Sequence, residues 1–204
     1  MTKAADGTGP EEELEAVPGV ITVSQDWTRD GRYLVSGTLN VNPKTGSDLW
    51  ALPLTPGKAG PSGKPLPLRN MEFAEFHGRV SPDGRWLAYD STESRRQEVY
   101  VVGFPDLNGR WQISVNGGSS PEWSRDGREL YFVGLDNKLM AVSVKPGEQF
   151  QPGVPQPLFD VRLGPTYPSF DVSADGRFLI ATPVEQATNE PITVVLNWPA
   201  ALKK

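Results

Sequence analysis

One seven-residue phrase, written four times, fixes what this chain can become. It runs Thr or Ser, any residue, Asp, Gly, Arg, any residue, Leu, and it occupies Thr28–Leu34, Ser81–Leu87, Ser124–Leu130 and Ser173–Leu179. The glycines Gly31, Gly84, Gly127 and Gly176 stand 53, 43 and 49 residues apart. Repetition at a period of roughly 40–50 residues marks units that bury their apolar faces only against their neighbours. Units of that size built from strands are propeller blades, and about 4–8 of them make a ring. The expected fold is therefore all-β: a β-propeller of about four antiparallel four-stranded blades, small or partial and open to being unclosed, with helix confined to a turn or two.

The second copy shows how one unit makes a blade. Arg79-Val80-Ser81 enters the turn at Pro82-Asp83-Gly84, and Trp86-Leu87-Ala88-Tyr89 leaves it. Asp-Gly suits a tight hairpin because both residues tolerate positive φ. The same corner is expected at Asp30-Gly31, Asp126-Gly127 and Asp175-Gly176, with the Ser and Asp side chains bonding back to turn amides. A third strand is expected over Glu98–Phe104 and a fourth over Arg110–Val115, both rich in β-branched and aromatic residues. The first repeat offers Tyr33–Leu39, Asp48–Leu54 and Pro65–Leu68, and the third Glu129–Gly134, Leu139–Val144 and Leu158–Val161. The fourth offers Phe178–Thr182 and Ile192–Trp198, and then lacks an outer strand. Gly19–Ser24 is a candidate to fill that gap and close the ring. If it belongs to a missing upstream blade instead, exposed blade faces and unpaired edges favour self-association.

The domain reading is a disordered acidic tail over 1–18, which carries Glu11-Glu12-Glu13, and a propeller over 19–204. Blade boundaries fall at approximately 19–69, 70–115, 116–163 and 164–204. Trp27, Val80, Trp123 and Val172 are equivalent between repeats, as are Leu34, Leu87, Leu130 and Leu179, and both sets are expected in the core between blades. Arg32, Arg85, Arg128 and Arg177 are expected to pair with the turn Asp or a nearby carbonyl.

Composition narrows the function by exclusion. A net charge of −5 without a basic stripe argues against nucleic-acid binding, which needs clustered Lys and Arg to displace counterions. With no cysteine there are no disulfides or thiolate metal sites, which leaves the compartment open. No apolar run approaches the roughly 20 residues of a membrane helix, so this chain is not expected to insert. Lacking a signal peptide too, it has the cytoplasm as its default compartment. A nucleophilic triad needs a base beside Ser, and the single histidine, His77, reads as a loop or strand-edge residue with no Gly-x-Ser-x-Gly elbow to serve. The four turn aspartates, one per blade, cannot share one calcium ion. No catalytic residue, metal or cofactor is expected, and the chain reads as a non-enzyme. In an antiparallel blade the loops joining strands two and three share a face with those joining consecutive blades. On that face Arg95, Arg96 and Asn116 are the candidate contact residues.

Ser81–Tyr89 closely resembles the WD-repeat-like blade motif of TolB-type propellers. Thr45–Trp50, Trp111–Ser114, Lys138–Val142, Asp171–Gly176 and Pro191–Trp198 are similar to the C-terminal end of a bacterial family. In that family a serine/threonine kinase domain is followed, usually after a membrane span, by a TolB-like propeller. The resemblance covers roughly residues 20–204 and implies an interaction or sensing module with a protein partner. It carries over no catalytic residue, because no Gly-rich phosphate loop, His-Arg-Asp or Asp-Phe-Gly is present. It also favours the open form, since the match is to the end of a longer propeller, and it implies an extracytoplasmic site if the chain is part of a membrane-anchored kinase. Two alternatives stay open: a propeller associated with a prolyl-oligopeptidase-type hydrolase, and a small-ligand or glycan binder.

Overall fold

Apolar runs of about five or six residues, broken at each end by Gly, Pro, Asp or Ser, suit strands and are too short for stable helices. A computed structural model of the protein describes residues 8, 11, 14, 21–39, 46–58, 60–69, 72–164 and 170–183. Among these residues there are fourteen strands and no helix. β1 (Thr22–Trp27), β2 (Tyr33–Thr38), β3 (Leu49–Pro53) and β4 (Leu66–Arg69) make the first sheet. β5 (Glu75–Val80), β6 (Trp86–Ser91), β7 (Glu98–Gly103) and β8 (Trp111–Gln112) make the second. β9 (Gly118–Trp123), β10 (Glu129–Gly134), β11 (Lys138–Ser143) and β12 (Gln156–Asp160) make the third. β13 (Phe170–Val172) and β14 (Phe178–Ile180) pair as the described part of the fourth. Strands follow one another across each sheet in chain order, and every pair is antiparallel. The first strands gather at the centre: β5 touches both β1 and β9, and β9 touches β13.

Burial explains why the middle strands read as unbroken apolar runs. Leu87, Tyr89, Tyr100 and Val102 point from the second sheet into the core shared with the first. Ala88, Val99 and Val101 point the other way, into the core shared with the third. Period-two alternation thus puts apolar groups on both faces of one sheet, each face packed on a neighbour.

The Asp-Gly corner differs from the hairpin that the dipeptide suggests. Only the glycine takes positive φ, at 70° for Gly31, 74° for Gly84, 71° for Gly127 and 78° for Gly176, while the aspartates do not. Gly84 N–H donates to Ser81 O at 2.8 Å, so the turn closes over Pro82 and Asp83 with glycine as its fourth residue, in the manner of a type I turn. The reason lies in the side chains. Ser81 Oγ donates to Asp83 Oδ1 at 2.6 Å and accepts Trp86 N–H at 3.0 Å, while Arg85 N–H reaches Asp83 Oδ1 at 3.2 Å. Thr28 with Asp30 and Ser124 with Asp126 repeat this arrangement.

The fourth copy departs from the others by one residue. Trp27 pairs with Leu34, Val80 with Leu87 and Trp123 with Leu130, but Val172 pairs with Phe178, one position short of Leu179. The cause is a tighter closure: Ser173 N–H donates to Arg177 O at 2.8 Å, where Ser81 N–H spans to Trp86 O. A one-residue change of register sends every side chain to the opposite face. Phe178 and Ile180 therefore pack on Tyr131 and Phe170, and Leu179, expected in the core, is 76% exposed while Leu87 and Leu130 are 0% exposed. Trp27 also departs from its set, being 52% exposed against 5% for Trp123. Trp123 rests on the second sheet, with Nε1 donating to Arg79 O at 3.1 Å, and no described sheet precedes the first.

Of the 19–24 segment, Thr22–Ser24 neither fill the fourth blade nor belong to an upstream one, and residues 19 and 20 lie outside the described residues. From Thr22 the segment is the start of β1, in register with β2 from Thr22↔Thr38 to Trp27↔Leu34. Its polar Ser24-Gln25-Asp26 stretch hid the strand. The expected strand 192–198 lies outside the described residues, as does the tail 1–18 except residues 8, 11 and 14.

Candidate functional site

An innermost strand leaves a row of backbone N–H groups unpaired within its own sheet. Here side chains of the preceding sheet cap them. Gly78 N–H donates to Gln25 Oε1 at 2.5 Å, Val80 N–H to Asp26 Oδ2 at 2.7 Å and Ser120 N–H to Asp90 Oδ2 at 2.8 Å. β5 and β9 are bulged at equivalent places, with His77 (φ 56°) and Ser120 (φ 54°) in the left-handed region. The bulge aims His77 at the fully buried Asp90, Nδ1 to Oδ2 at 2.6 Å, and Gln97 Nε2 binds the other oxygen at 3.0 Å. A His–Asp pair is part of a hydrolytic triad, but this carboxylate is committed to a backbone amide and an amide side chain as well. It acts as a clamp between the second and third sheets.

On the face of the Asp-Gly turns, Asp26, Glu122 and Asp171 line a cavity of about 220 Å³ at the centre. Burial raises the Asp26 carboxyl above its ordinary value, against the opposing pull of the Val80 N–H and Arg79. Burial raises Glu122 too, although Arg79 Nε lies 2.6 Å from its carboxylate, and Asp26 and Asp171 push it further. Among the described residues no three His, Asp or Glu side chains are grouped as metal ligands. The turn aspartates stay apart and serve their own corners. Arg32, Arg85, Arg128 and Arg177 lie 3.6, 2.6, 3.8 and 2.8 Å from Asp30, Asp83, Asp126 and Asp175. The Ser124 hydroxyl and Arg128 amide hold Asp126 below the usual carboxylate range, and Ser173 and Arg177 do the same for Asp175.

The opposite face carries the candidate contact residues. Arg95 is exposed in the 91–97 loop with φ 68°. Arg96 is tied down: Nε donates to Glu98 Oε1 at 2.9 Å and Nη2 to Val115 O at 3.0 Å. Glu98 is fully buried and also accepts Gly117 N–H at 2.9 Å and the Ser114 hydroxyl. This one carboxylate therefore fixes the 114–117 link between the second and third sheets. Asn116 in that link lines a groove of about 510 Å³ that runs down the flank of the third sheet past Phe132 and Met140. Val115, Leu135 and Val154 stand exposed along it, each from a different segment. Asn116 thus lies in the groove, Arg96 braces its wall, and Arg95 sits in the neighbouring loop. The three apolar residues escaped notice in the sequence. Their signal is faint: each is an apolar side chain beside Gly, Asn or Pro in a turn, where polar residues are the rule.

No protein-family model and no curated protein matches this chain. Solved structures do. A protein described as TolB from Agrobacterium tumefaciens is 18% identical with a TM-score of 0.56, over 72% of this chain and 52% of that one. A puromycin-hydrolysing peptidase of Mycobacterium tuberculosis is 22% identical with a TM-score of 0.55, over 81% of this chain and 28% of that one. TolB from Acinetobacter baumannii is 15% identical with a TM-score of 0.51, over 79% of this chain and 37% of that one. The fold is a TolB-like β-propeller. This chain spans about half the length of the first of these structures and less of the other two. None of the three is named as a kinase.

Proposed function

We propose that the chain is a non-catalytic propeller module that binds a protein partner, with the groove beside Asn116 as its docking site. One observation carries this reading: Val115, Leu135 and Val154, from three separate segments, converge exposed on a single groove. Single exposed apolar residues are ordinary on any surface, but a contiguous cluster in a concave setting suits an anchor side chain of a partner. Glu98 adds preorganisation. Its bonds to Gly117, Ser114 and Arg96 hold the groove wall before binding, so little ordering entropy remains to oppose it. A sensing role like that of the propellers that follow bacterial kinases belongs to the same reading.

The test is a comparison of immobilised wild-type protein with the Val115→Asp, Leu135→Asp double variant against the proteome of the source organism. A partner held by the wild type and weakened at least about tenfold by the variant is the expected result. A partner held equally by both sends binding elsewhere, and no retained protein removes the reading. A second reading, a propeller working beside a hydrolase domain, is favoured by the peptidase match. Hydrolysis that appears only when this protein is added to a separately purified hydrolase would support it.

A further inference from the structure

A second recess lies on the face of the Asp-Gly turns, between the second and third sheets, and its chemistry is unlike the groove's. Trp86 opens β6, Trp111 opens β8, and Phe150 comes from the loop that joins β11 to β12. The Trp86 and Trp111 rings, packed over the buried Phe150, form the floor of an open cleft of about 590 Å³. Asp106, Asn108, Glu148 and Gln149 form its rim, all exposed. Both tryptophans are half-buried, and among the described residues neither indole N–H has a protein hydrogen-bond partner, which leaves both open to solvent at the cleft. Trp123, packed in the same cluster, shows the ordinary behaviour by donating to Arg79 O. Two solvent-open donors beside an apolar floor and a rim of carboxylates and amides match a ligand with both hydroxyls and an apolar face.

Charge and spacing argue against two other ligand classes, an anion and a quaternary ammonium. Among the described residues Arg85 is the only cation lining the cleft and is held by Asp83 at 2.6 Å, while Asp106 and Glu148 make no ion pair, so the charge of the cleft disfavours an anion. An aromatic cage for a quaternary ammonium needs room between its rings. Here the centroids are 5.6 Å apart for Trp86–Trp111, 5.2 Å for Trp86–Phe150 and 5.1 Å for Trp111–Phe150, so the rings touch and nothing fits between them. A ligand must lie over the cluster. We infer that this cleft binds a neutral saccharide, with C–H groups on the rings and hydroxyls on the two indole N–H groups and the rim. The inference does not depend on the groove or its partner.

Tryptophan fluorescence and calorimetry on the full chain, titrated with neutral tetrasaccharides of glucose in both linkages, mannose and N-acetylglucosamine, test it. Saturable binding of at least one, with Kd between roughly 10 μM and 1 mM, is expected. Trp111→Phe, which keeps a ring and removes the N–H, should weaken that binding about tenfold, and Asn108→Ala on the exposed rim by about fivefold. Lys64→Ala, on the first sheet, should leave it unchanged. If Trp111→Phe fails to fold, Asn108→Ala and Asp106→Ala decide. No saturable binding up to about 10 mM overturns the inference. So does binding that both rim variants leave intact, or tighter binding of a uronic-acid oligomer or of choline.

Discussion

Glu98→Ala is the substitution that tests the internal logic of the fold most directly. The side chain is fully buried and holds three donors: Gly117 N–H, the Ser114 hydroxyl and Arg96 Nε. Removal strands the first two inside the protein, at about 1–3 kcal/mol each. Arg96 is half exposed and turns to water, so its loss adds little. The sum, about 2–6 kcal/mol, brackets the usual cost of about 3–5 kcal/mol for removing one partner from a buried charged network and is a large part of a domain's total stability of about 5–15 kcal/mol. Glu98→Gln keeps the volume and one acceptor oxygen and should cost about 1–2 kcal/mol, while Arg96→Ala should cost less than about 1 kcal/mol. Urea unfolding followed by tryptophan fluorescence measures all three. If Glu98→Ala sits within about 1 kcal/mol of wild type, or Arg96→Ala costs as much, the network does not hold the 114–117 link as argued.

Gly84 has φ 74° with open space around its missing side chain, so Gly84→Val should cost about 1–3 kcal/mol from backbone strain alone, and Gly84→Asn much less; equal melts would refute the turn geometry. Leu87→Ala should cost about 2–5 kcal/mol and Leu179→Ala should lie within about ±0.5 kcal/mol, although the two leucines hold the same place in the repeated phrase; similar losses would restore the common register. Burial raises Asp26, so the folded state binds its proton more tightly than the unfolded chain does. Stability from this group is fully present below the unfolded value of 3.8 and is lost as pH rises through the raised folded value. Asp26→Asn, which keeps an acceptor for Val80 N–H, should flatten that decline and gain on wild type at neutral pH; parallel urea midpoints across the range would contradict it.

The architecture was legible because it repeats. Four copies of one phrase gave the corners, and apolar runs such as Glu98–Phe104 gave strands buried on both faces. What stayed hidden is what happens once. The fourth phrase matches the others at every fixed position, yet Ser173 closes on Arg177 one residue early and turns Leu179 outward, a difference the shared residues do not show. β1 was obscured because Gln25 and Asp26 are polar for a purpose, the capping of Gly78 and Val80 in the next sheet. Asp90 has no counterpart in the other repeats, and the partners of Asp90 and Glu98 lie up to 30 and 19 residues away, too far for any local pattern to reveal. The groove gathers Val115, Leu135 and Val154 from three turns, so it exists only after folding, whereas Asn116 and Arg96 were singled out only by the loop face they share.

Arrays in which each unit touches only the next share stability like beads on a string, and their ends fray first. Arg29 works against that. Its Nη1 reaches Arg125 O at 2.7 Å, joining equivalent positions of the first and third repeats and passing over the second. Even about 1 kcal/mol of such coupling makes it harder for the first sheet to open while the third stays folded. The chain should therefore lose structure in one cooperative step, and a van't Hoff enthalpy that falls below the calorimetric enthalpy in Arg29→Ala alone would mark where the cooperativity resides.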